Sequence, residues 1–476
     1  MALKVTSFLS IFSCLALVFA TQAANFNISA SVAESYGCGP KCQEVLKLTT
    51  AADISYTGIE FDFAFYETAA NFSGSKPGDL LKLEAVNPNT LNVDSGITVY
   101  RFQYTSQDLD GSPIPVTGFV AFPIAPPSWS KGVFPLLAYA HGTIGIYRGC
   151  APSSGPTLFD YKSWSLLTQR GYAVVATDYA GLGNNQTVHK YASFTAHAND
   201  VFYSVVAANK AFHNMLTPNW VSAGHSQGGS AVWKLAEQVQ ELTALNNSTM
   251  SGAYLGTVSL SPAPRIRDII YWAVENVLPA KDLHRYIITA EIPSIAFALR
   301  SVFPAFNISD FIAEPLQRRL ALADHAQLCT TGMMGLTADL SPEELVSPVL
   351  VNEVSKNASN NLISKWQDMN SIAGGGRATA PMLVVQGMAD TSVVPAITIA
   401  AYKEACRTPG YEVHLSLYPG QDHTPTVVAT SSEWVDWIED RFRGVKTSGA
   451  CSTTTRVSFD PKHVKEEREV DFTIPS

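Results

Sequence analysis

Apolar residues along the chain first alternate with polar ones and then gather into solid runs. Alternation at 97–106 (ITVYRFQYTS) and 115–123 (PVTGFVAFP) predicts two antiparallel strands. Further on, apolar runs at 134–142, 172–181, 218–226, 253–264, 380–390 and 411–419 predict strands buried on both faces. Between them, 161–171, 194–214, 228–242, 392–406 and 432–442 have helical spacing. Strands alternating with helices in this way predict an α/β fold, with a mainly parallel sheet covered by helices.

The alternation breaks once. Residues 265–375 carry no strand signal, and segments such as RDIIYWAVENVL and SIAFALRSVFPAF read as helices. A helical insertion this rich in Phe, Ile and Leu is expected to form a cap or lid over a site. The core is then 96–264 and 376–445, preceded by an N-terminal arm (24–95) and followed by a polar, extended tail (446–476).

The first residues change the compartment. Lys4 precedes the uncharged apolar run VTSFLSIFSCLALVFA, and TQA at 21–23 suits cleavage before Ala24. The run is short for a membrane span, and no later segment is long and apolar enough to cross a bilayer. A signal peptide (1–23) and a secreted, extracellular protein without a transmembrane segment are expected. Seven N-x-S/T sequons agree, at Asn27, Asn71, Asn185, Asn246, Asn247, Asn307 and Asn357. Cys14 leaves with the leader. Cys38, Cys42, Cys150, Cys329, Cys406 and Cys451 remain, an even number suited to three disulfides in an oxidising compartment. Cys38 and Cys42 are close enough in sequence to close a small local loop, while no second Cys/His pair sits at zinc-ligand spacing. The formal net charge of -9 argues against a nucleic-acid partner.

The chemistry centres on Gly224-His225-Ser226-Gln227-Gly228, a G-x-S-x-G pattern. It lies between a predicted strand and a predicted helix, where a nucleophile is held in a sharp turn. Such a turn crowds the residues two before and two after the serine, and Gly224 and Gly228 have no Cβ there. A serine hydroxyl needs a base. In chain order Ser–acid–His, Asp390 follows the strand at 380–390 and His423 follows the strand at 411–419. Both lie where open α/β sheets place their sites. Asp178 also ends a strand, but it precedes the nucleophile. Asp422 is expected to point elsewhere, the His225 ring to aim away from the serine hydroxyl, and His414 to pack within its strand. An oxyanion needs donors. The Gln227 N–H supplies one, and the HGTIG loop after the strand at 134–142 supplies the second through Gly142 or Thr143. There is no H-E-x-x-H, and neither a metal nor a cofactor is expected.

The segments AYAHGTIGIYRGCAPS, GHSQGG, GMADTSVVP and YPGQDHTP resemble the fungal secretory lipase family of the α/β-hydrolase superfamily, over residues 85–445. The resemblance implies an α/β-hydrolase fold and a secreted carboxylic-ester hydrolase (lipase or esterase) acting through a Ser226–His423–Asp390 triad. It implies a helical lid between nucleophile and acid, and disulfides Cys150–Cys329 and Cys406–Cys451, which leaves Cys38–Cys42. The family includes triacylglycerol lipases, which make transient contact with a lipid interface. It also includes esterases that deacetylate small molecules such as trichothecenes. The expected partner is an ester, either an acylglycerol or an acetylated small molecule. A different class, a catalytically silent binding protein on the same fold, is the remaining alternative.

Overall fold

A computed structural model describes residues 21–246, 251–280, 283 and 286–468. The leader up to Ala20, the sequon at Asn247 and tail residues 469–476 lie outside the described residues.

Among the described residues ten strands form one sheet: β1 Leu80–Ala85, β2 Thr98–Gln107, β3 Pro113–Phe122, β4 Phe134–Ala140, β5 Ala173–Thr177, β6 Leu216–His225, β7 Ala253–Leu260, β8 Met382–Gly387, β9 Val413–Tyr418 and β10 Ser452–Thr455. Their order is β1-β2-β3-β5-β4-β6-β7-β8-β9-β10. The pairs β1–β2, β2–β3 and β3–β5 are antiparallel, and the rest are parallel. The solid apolar runs become the central parallel strands, and β5 (AVVAT) and β8 (MLVVQG) are buried at every residue. Helices cover both faces. Phe194–Phe212 and Gln227–Asn246 bury Phe202 and Val232 with Trp220 of β6 on one side. On the other side Ser431–Phe442 buries Trp434 and Ile438 against Val258 and Leu383.

The helix expected over 161–171 shortens to Ser165–Thr168. Lys162 sits at φ 63°, and the Asp160 carboxylate accepts the Ser163 N–H at 2.8 Å, so local hydrogen bonding replaces the first helical turns. The arm and the tail both join the sheet. β1 extends one edge from within residues 24–95, and the exposed β10 extends the other, beyond Cys451.

Among its described residues the insertion contains helices and isolated bridges and no strand. Its two ends meet, because Arg265 pairs with Ile372 and the Ala373 N–H donates to the Pro264 carbonyl at 2.8 Å. It forms its own core around Ile269, Leu316 and Trp366, and the arm helix Pro40–Thr57 buries Leu46 in that same core. The six cysteines pair as Cys38–Cys42, Cys150–Cys329 and Cys406–Cys451. The second bridge joins the sheet body to the insertion, and the third ties the start of β10 to the end of the helix Pro395–Ala405. Among the described residues no helix is long and apolar enough to cross a membrane. Asn27, Asn71, Asn185, Asn307 and Asn357 are exposed, whereas the amide nitrogen of Asn246 is buried.

The core holds opposed titrating groups. Burial pushes the carboxyls of Asp53 and Asp200 up to about 7 and that of Asp178 up to about 6. It pushes the imidazoles of His141 and His189 down to about 4, and those of His197 and His225 well below the usual histidine range. Between the unfolded carboxyl value near 3.8 and the folded values, the folded aspartates hold more protons, so their contribution to stability falls as pH rises. Below the unfolded histidine value of 6.5 the folded histidines hold fewer protons, so theirs rises with pH. The two sets offset each other between about pH 5 and 7. The Asp200 carboxylate accepts from Ser106 Oγ at 2.5 Å and from the Ala180 N–H at 2.9 Å, a pattern that Asn can mimic in the orientation of a protonated Asp. Asp200→Asn should therefore be at least as stable as the wild type at pH 8 and less stable relative to it at pH 5. Thermal melts at the two pH values check this, and a pH-independent difference would refute it.

Candidate active site

β6 ends at His225 and the next helix begins at Gln227. Ser226 lies between them at φ 58°, in the left-handed region that a non-glycine residue enters only under constraint. Its N–H donates to the Leu260 carbonyl at the end of β7, at 2.9 Å. A Cβ on Gly224 would strike the Gly228 carbonyl, and one on Gly228 would strike the carbonyls of Ala140 and His141. A Cβ on Gly229 would stand 2.9 Å from the Leu260 carbonyl oxygen, so this residue sets how closely the helix approaches the sheet.

Asp390 lies in the turn after β8 and is 3% exposed. Its Oδ1 accepts the N–H groups of Ser392 at 3.0 Å and Val393 at 2.7 Å. Its Oδ2 accepts from Gln386 Nε2 at 2.9 Å and from His423 Nδ1 at 2.8 Å. These four donors fix the orientation of the carboxyl group. His423 is the first residue of the helix His423–Ala429 and is 5% exposed. With the proton held on Nδ1, Nε2 is the basic nitrogen of the ring. Ser226 and His423 line the same cavity.

The other sequence candidates separate from this pair. Asp178 is buried, and accepts from the Ser153 N–H and Thr117 Oγ1. Asp422 accepts the N–H groups of Thr391 and His423, both at 2.9 Å, and so fixes the turn that carries the acid to the helix that carries the base. His414 bonds Ser452 and Glu412 at the β9–β10 edge. His225 Nδ1 meets the Tyr161 hydroxyl at 2.8 Å, and its ring packs 4.6 Å from the His423 ring. Burial, and then the neighbouring His423, hold its imidazole well below the usual range, so it stays neutral beside the base.

The HGTIG loop follows β4. A Cβ on Gly142 would stand 3.5 Å from Ser226 Cβ, so the loop passes directly beside the serine. The Tyr161 hydroxyl flanks the loop, 3.5 Å from where a Cβ on Gly142 would stand. Thr143 Oγ1 lies 3.0 Å from the Tyr191 hydroxyl and donates to Gln227 Oε1 at 3.3 Å. As the first helical residue, Gln227 has a backbone N–H without an intrahelical acceptor. The cavity has a volume of about 320 Å³ and a mostly apolar wall. Its wall comes from the arm (Asp53, Tyr56), the body (Thr143, Tyr191) and the insertion (Ile269, Glu291). Tyr161, Tyr191, Glu291 and Asp53 carry no local signal, since only the fold brings them together. Gln386 does carry one, because it is a polar residue at a fully buried position of an apolar strand, immediately upstream of the acid.

No protein-family model and no curated protein matches the chain. Solved structures do. The chain is similar to the rice cell wall degrading esterase LipA from Xanthomonas oryzae (15% identity, 78% of this chain and 100% of that one, TM-score 0.61). It is also similar to a putative hydrolase from Legionella pneumophila (20% identity, 78% and 100%, TM-score 0.63). A third similar structure is Candida antarctica lipase A (16% identity, 82% and 88%, TM-score 0.62). The likeness is one of fold, and the chain has the α/β-hydrolase fold.

The elbow gives a direct test. Gly228→Ala should lower Tm by about 5 °C or more. Gly375→Ala, where the nearest atom to a new Cβ is 3.6 Å away, should change Tm little. Equal melting temperatures for the two variants would contradict the packing at the turn.

Proposed function

We propose that the chain is a secreted serine carboxylic-ester hydrolase. One observation carries this reading. A serine held at φ 58° shares a cavity with a histidine whose Nδ1 is bound by a buried aspartate at 2.8 Å. Ser226 is the nucleophile, His423 the base and Asp390 the group that holds the tautomer and stabilises the imidazolium. His423 Nε2 takes the serine proton as Oγ attacks the ester carbonyl carbon. The carbonyl π electrons move onto oxygen, where the Gln227 N–H and a donor from the HGTIG loop stabilise the charge. The electron pair then returns, the C–O bond to the alcohol breaks, and His423 protonates the leaving oxygen. A water activated by His423 releases the acid from the acyl-enzyme by the same path. The leader, the exposed sequons and the three disulfides support an extracellular location.

Within this class, attachment of the insertion to the site favours a small acyl group over interfacial lipolysis. Cys150–Cys329 ties the insertion to the segment after the HGTIG loop. The Thr330 N–H donates to the Ile144 carbonyl at 2.9 Å. The Asp53 carboxylate holds the N–H groups of Thr331 at 2.9 Å and Gly332 at 2.8 Å. A cover fixed in this way at the cavity cannot swing aside as a whole to present a broad apolar face. Deacetylation of an acetylated small molecule is thus the favoured substrate reading, and acylglycerol hydrolysis at a lipid interface is its rival.

Ser226→Ala should abolish hydrolysis of p-nitrophenyl acetate and leave Tm unchanged. Asp390→Asn should lower kcat by about 10³- to 10⁴-fold. Activity retained by Ser226→Ala in a clean preparation would refute the assignment and leave a binding protein. Rates on acetyl, butyryl and long-chain triacylglycerol esters, with and without an oil–water interface, separate the substrate readings. The pinned cover predicts a preference for acetyl esters without interfacial activation. Rates that climb with chain length at the interface would instead establish the lipase.

A further inference from the structure

Tyr161 sits in a strained segment. Around it Leu158, Phe159 and Lys162 have φ 51°, 51° and 63°, in the left-handed region that side chains rarely adopt. Local bonds hold that shape. Trp164 Nε1 donates to the Leu158 carbonyl at 3.1 Å, and Asp160 accepts the Ser163 N–H at 2.8 Å. The Phe159 ring meets the Tyr161 ring edge-on at 5.3 Å. The half-buried Tyr161 is thereby placed on the cavity wall with Ser226, Gly142 and Gln227. Its hydroxyl oxygen and Ser226 Cβ both stand 3.5 Å from the point that a Cβ on Gly142 would occupy. The hydroxyl is therefore close to the serine, on the side where the HGTIG loop passes.

Proton counting decides what this hydroxyl can do. His225 is neutral, so its ring has one proton. Its Nε2 is buried and has no hydrogen-bond partner among the described residues, whereas Nδ1 lies 2.8 Å from the Tyr161 oxygen. A proton on Nε2 would be a buried donor without an acceptor, which folded proteins avoid. The proton is thus on Nδ1, and His225 donates to Tyr161. A hydroxyl has one proton and two lone pairs, so this bond leaves the Tyr161 proton unused. The other hydroxyl in reach, that of Tyr139, is 3.4 Å away, beyond the usual O–H···O range of about 2.5–3.0 Å. Burial keeps the Tyr161 hydroxyl protonated at neutral pH. A positioned donor without a short acceptor therefore stands at the cavity wall next to the nucleophile.

We infer that Tyr161 is a catalytic residue, the side-chain donor of the oxyanion hole, and that His225 positions it. This rests on the ester-hydrolase reading above. As Ser226 Oγ bonds to the carbonyl carbon, the carbonyl π electrons move onto oxygen. The Tyr161 O–H donates a hydrogen bond to that oxygen, together with the Gln227 N–H and the loop donor. No proton leaves Tyr161, and the leaving oxygen still takes its proton from His423. The bond strengthens as charge develops, so its loss should fall on kcat and leave KM nearly unchanged.

The test measures hydrolysis of p-nitrophenyl acetate and ethyl acetate by the full chain, with wild type and Ser226→Ala run alongside. Tyr161→Phe removes one oxygen and should keep Tm close to that of the wild type. It should lower kcat about 10²-fold on both esters, with KM within about 2-fold. Equal losses are expected because both esters form the same oxyanion, although only the ethyl ester needs a proton on its leaving group. Tyr139→Phe removes the neighbouring hydroxyl and should keep kcat within about 2-fold of wild type. His225→Phe keeps a ring against His423 and removes the donor to Tyr161. It should lower kcat about 10-fold, and adding it to Tyr161→Phe should cost nothing further. Wild-type kcat in Tyr161→Phe, effects confined to KM, a loss confined to ethyl acetate, a comparable loss in Tyr139→Phe, or losses that multiply in the double variant would each overturn the assignment. An inactive wild type, or an active Ser226→Ala, would instead overturn the ester-hydrolase reading itself.

Discussion

The site depends on a backbone conformation that the sequence has to hold in place. Ser226 at φ 58° is unfavourable for an L-residue by about 1–3 kcal/mol. It persists because the turn is held on every side. Its N–H bonds the end of β7, and Ser230 in the first helical turn donates back to its carbonyl at 3.2 Å. Gly224 and Gly228 let the strand and helix backbones close around it, with Gly228 against the carbonyls at the end of β4. Three neighbouring strands therefore fix one residue. The strain serves to lift the side chain out of the strand–helix corner into a cavity, at the end of a helix whose dipole favours negative charge.

The other half of the site is rigid for a different reason. Asp390 is buried, and two backbone N–H groups, Gln386 and His423 all bond its carboxyl oxygens. Asp422, beside His423 in sequence, holds the Thr391 N–H next to Asp390, so the acid's turn and the base's helix are bonded in both directions. His225 then backs the His423 ring and stays neutral, which keeps a second positive charge away from the imidazolium of the proposed mechanism.

Much of this was legible in the sequence, and the limits follow from the range of each interaction. Apolar runs located the central strands because a strand buried on both faces has no polar positions. The elbow was legible because its steric demand falls on residues two positions away. Asp390 and His423, which the fold brings to 2.8 Å, could be paired because each follows a strand of the sheet. The helix at 161–171 was overestimated, because the cap by Asp160 and the left-handed Lys162 compete with helical hydrogen bonds and leave no apolar signature. The arm read as a separate element, yet Leu46 and Cys42 lie in the same core as Trp366 and Leu316. An amphipathic helix shows which face is buried but not which distant segment covers it. Tyr161 and Tyr191 were out of reach for the same reason, since each meets its partner across a gap that only the tertiary fold closes.

Two separate holds on the insertion bear on one short loop. The covalent one, Cys150–Cys329, lies just past the HGTIG loop, and the adjoining Thr330 N–H bonds the loop carbonyl of Ile144. The polar one is that Thr330 N–H, which anchors the insertion backbone to the loop itself. The arm adds a third point, with Asp53 bound to the backbone two residues beyond Cys329. A lid that opens as a body would have to release all of these together, and in doing so would disturb the loop that passes beside Ser226. A cover attached in this way makes better physical sense as a permanent wall that shapes the cavity, with substrate entering through a mouth rather than beneath a raised lid. In the proposed hydrolase, substrate choice would then depend on the dimensions and polarity of that wall, where the acidic side chains of Asp53 and Glu291 line a mostly apolar cavity.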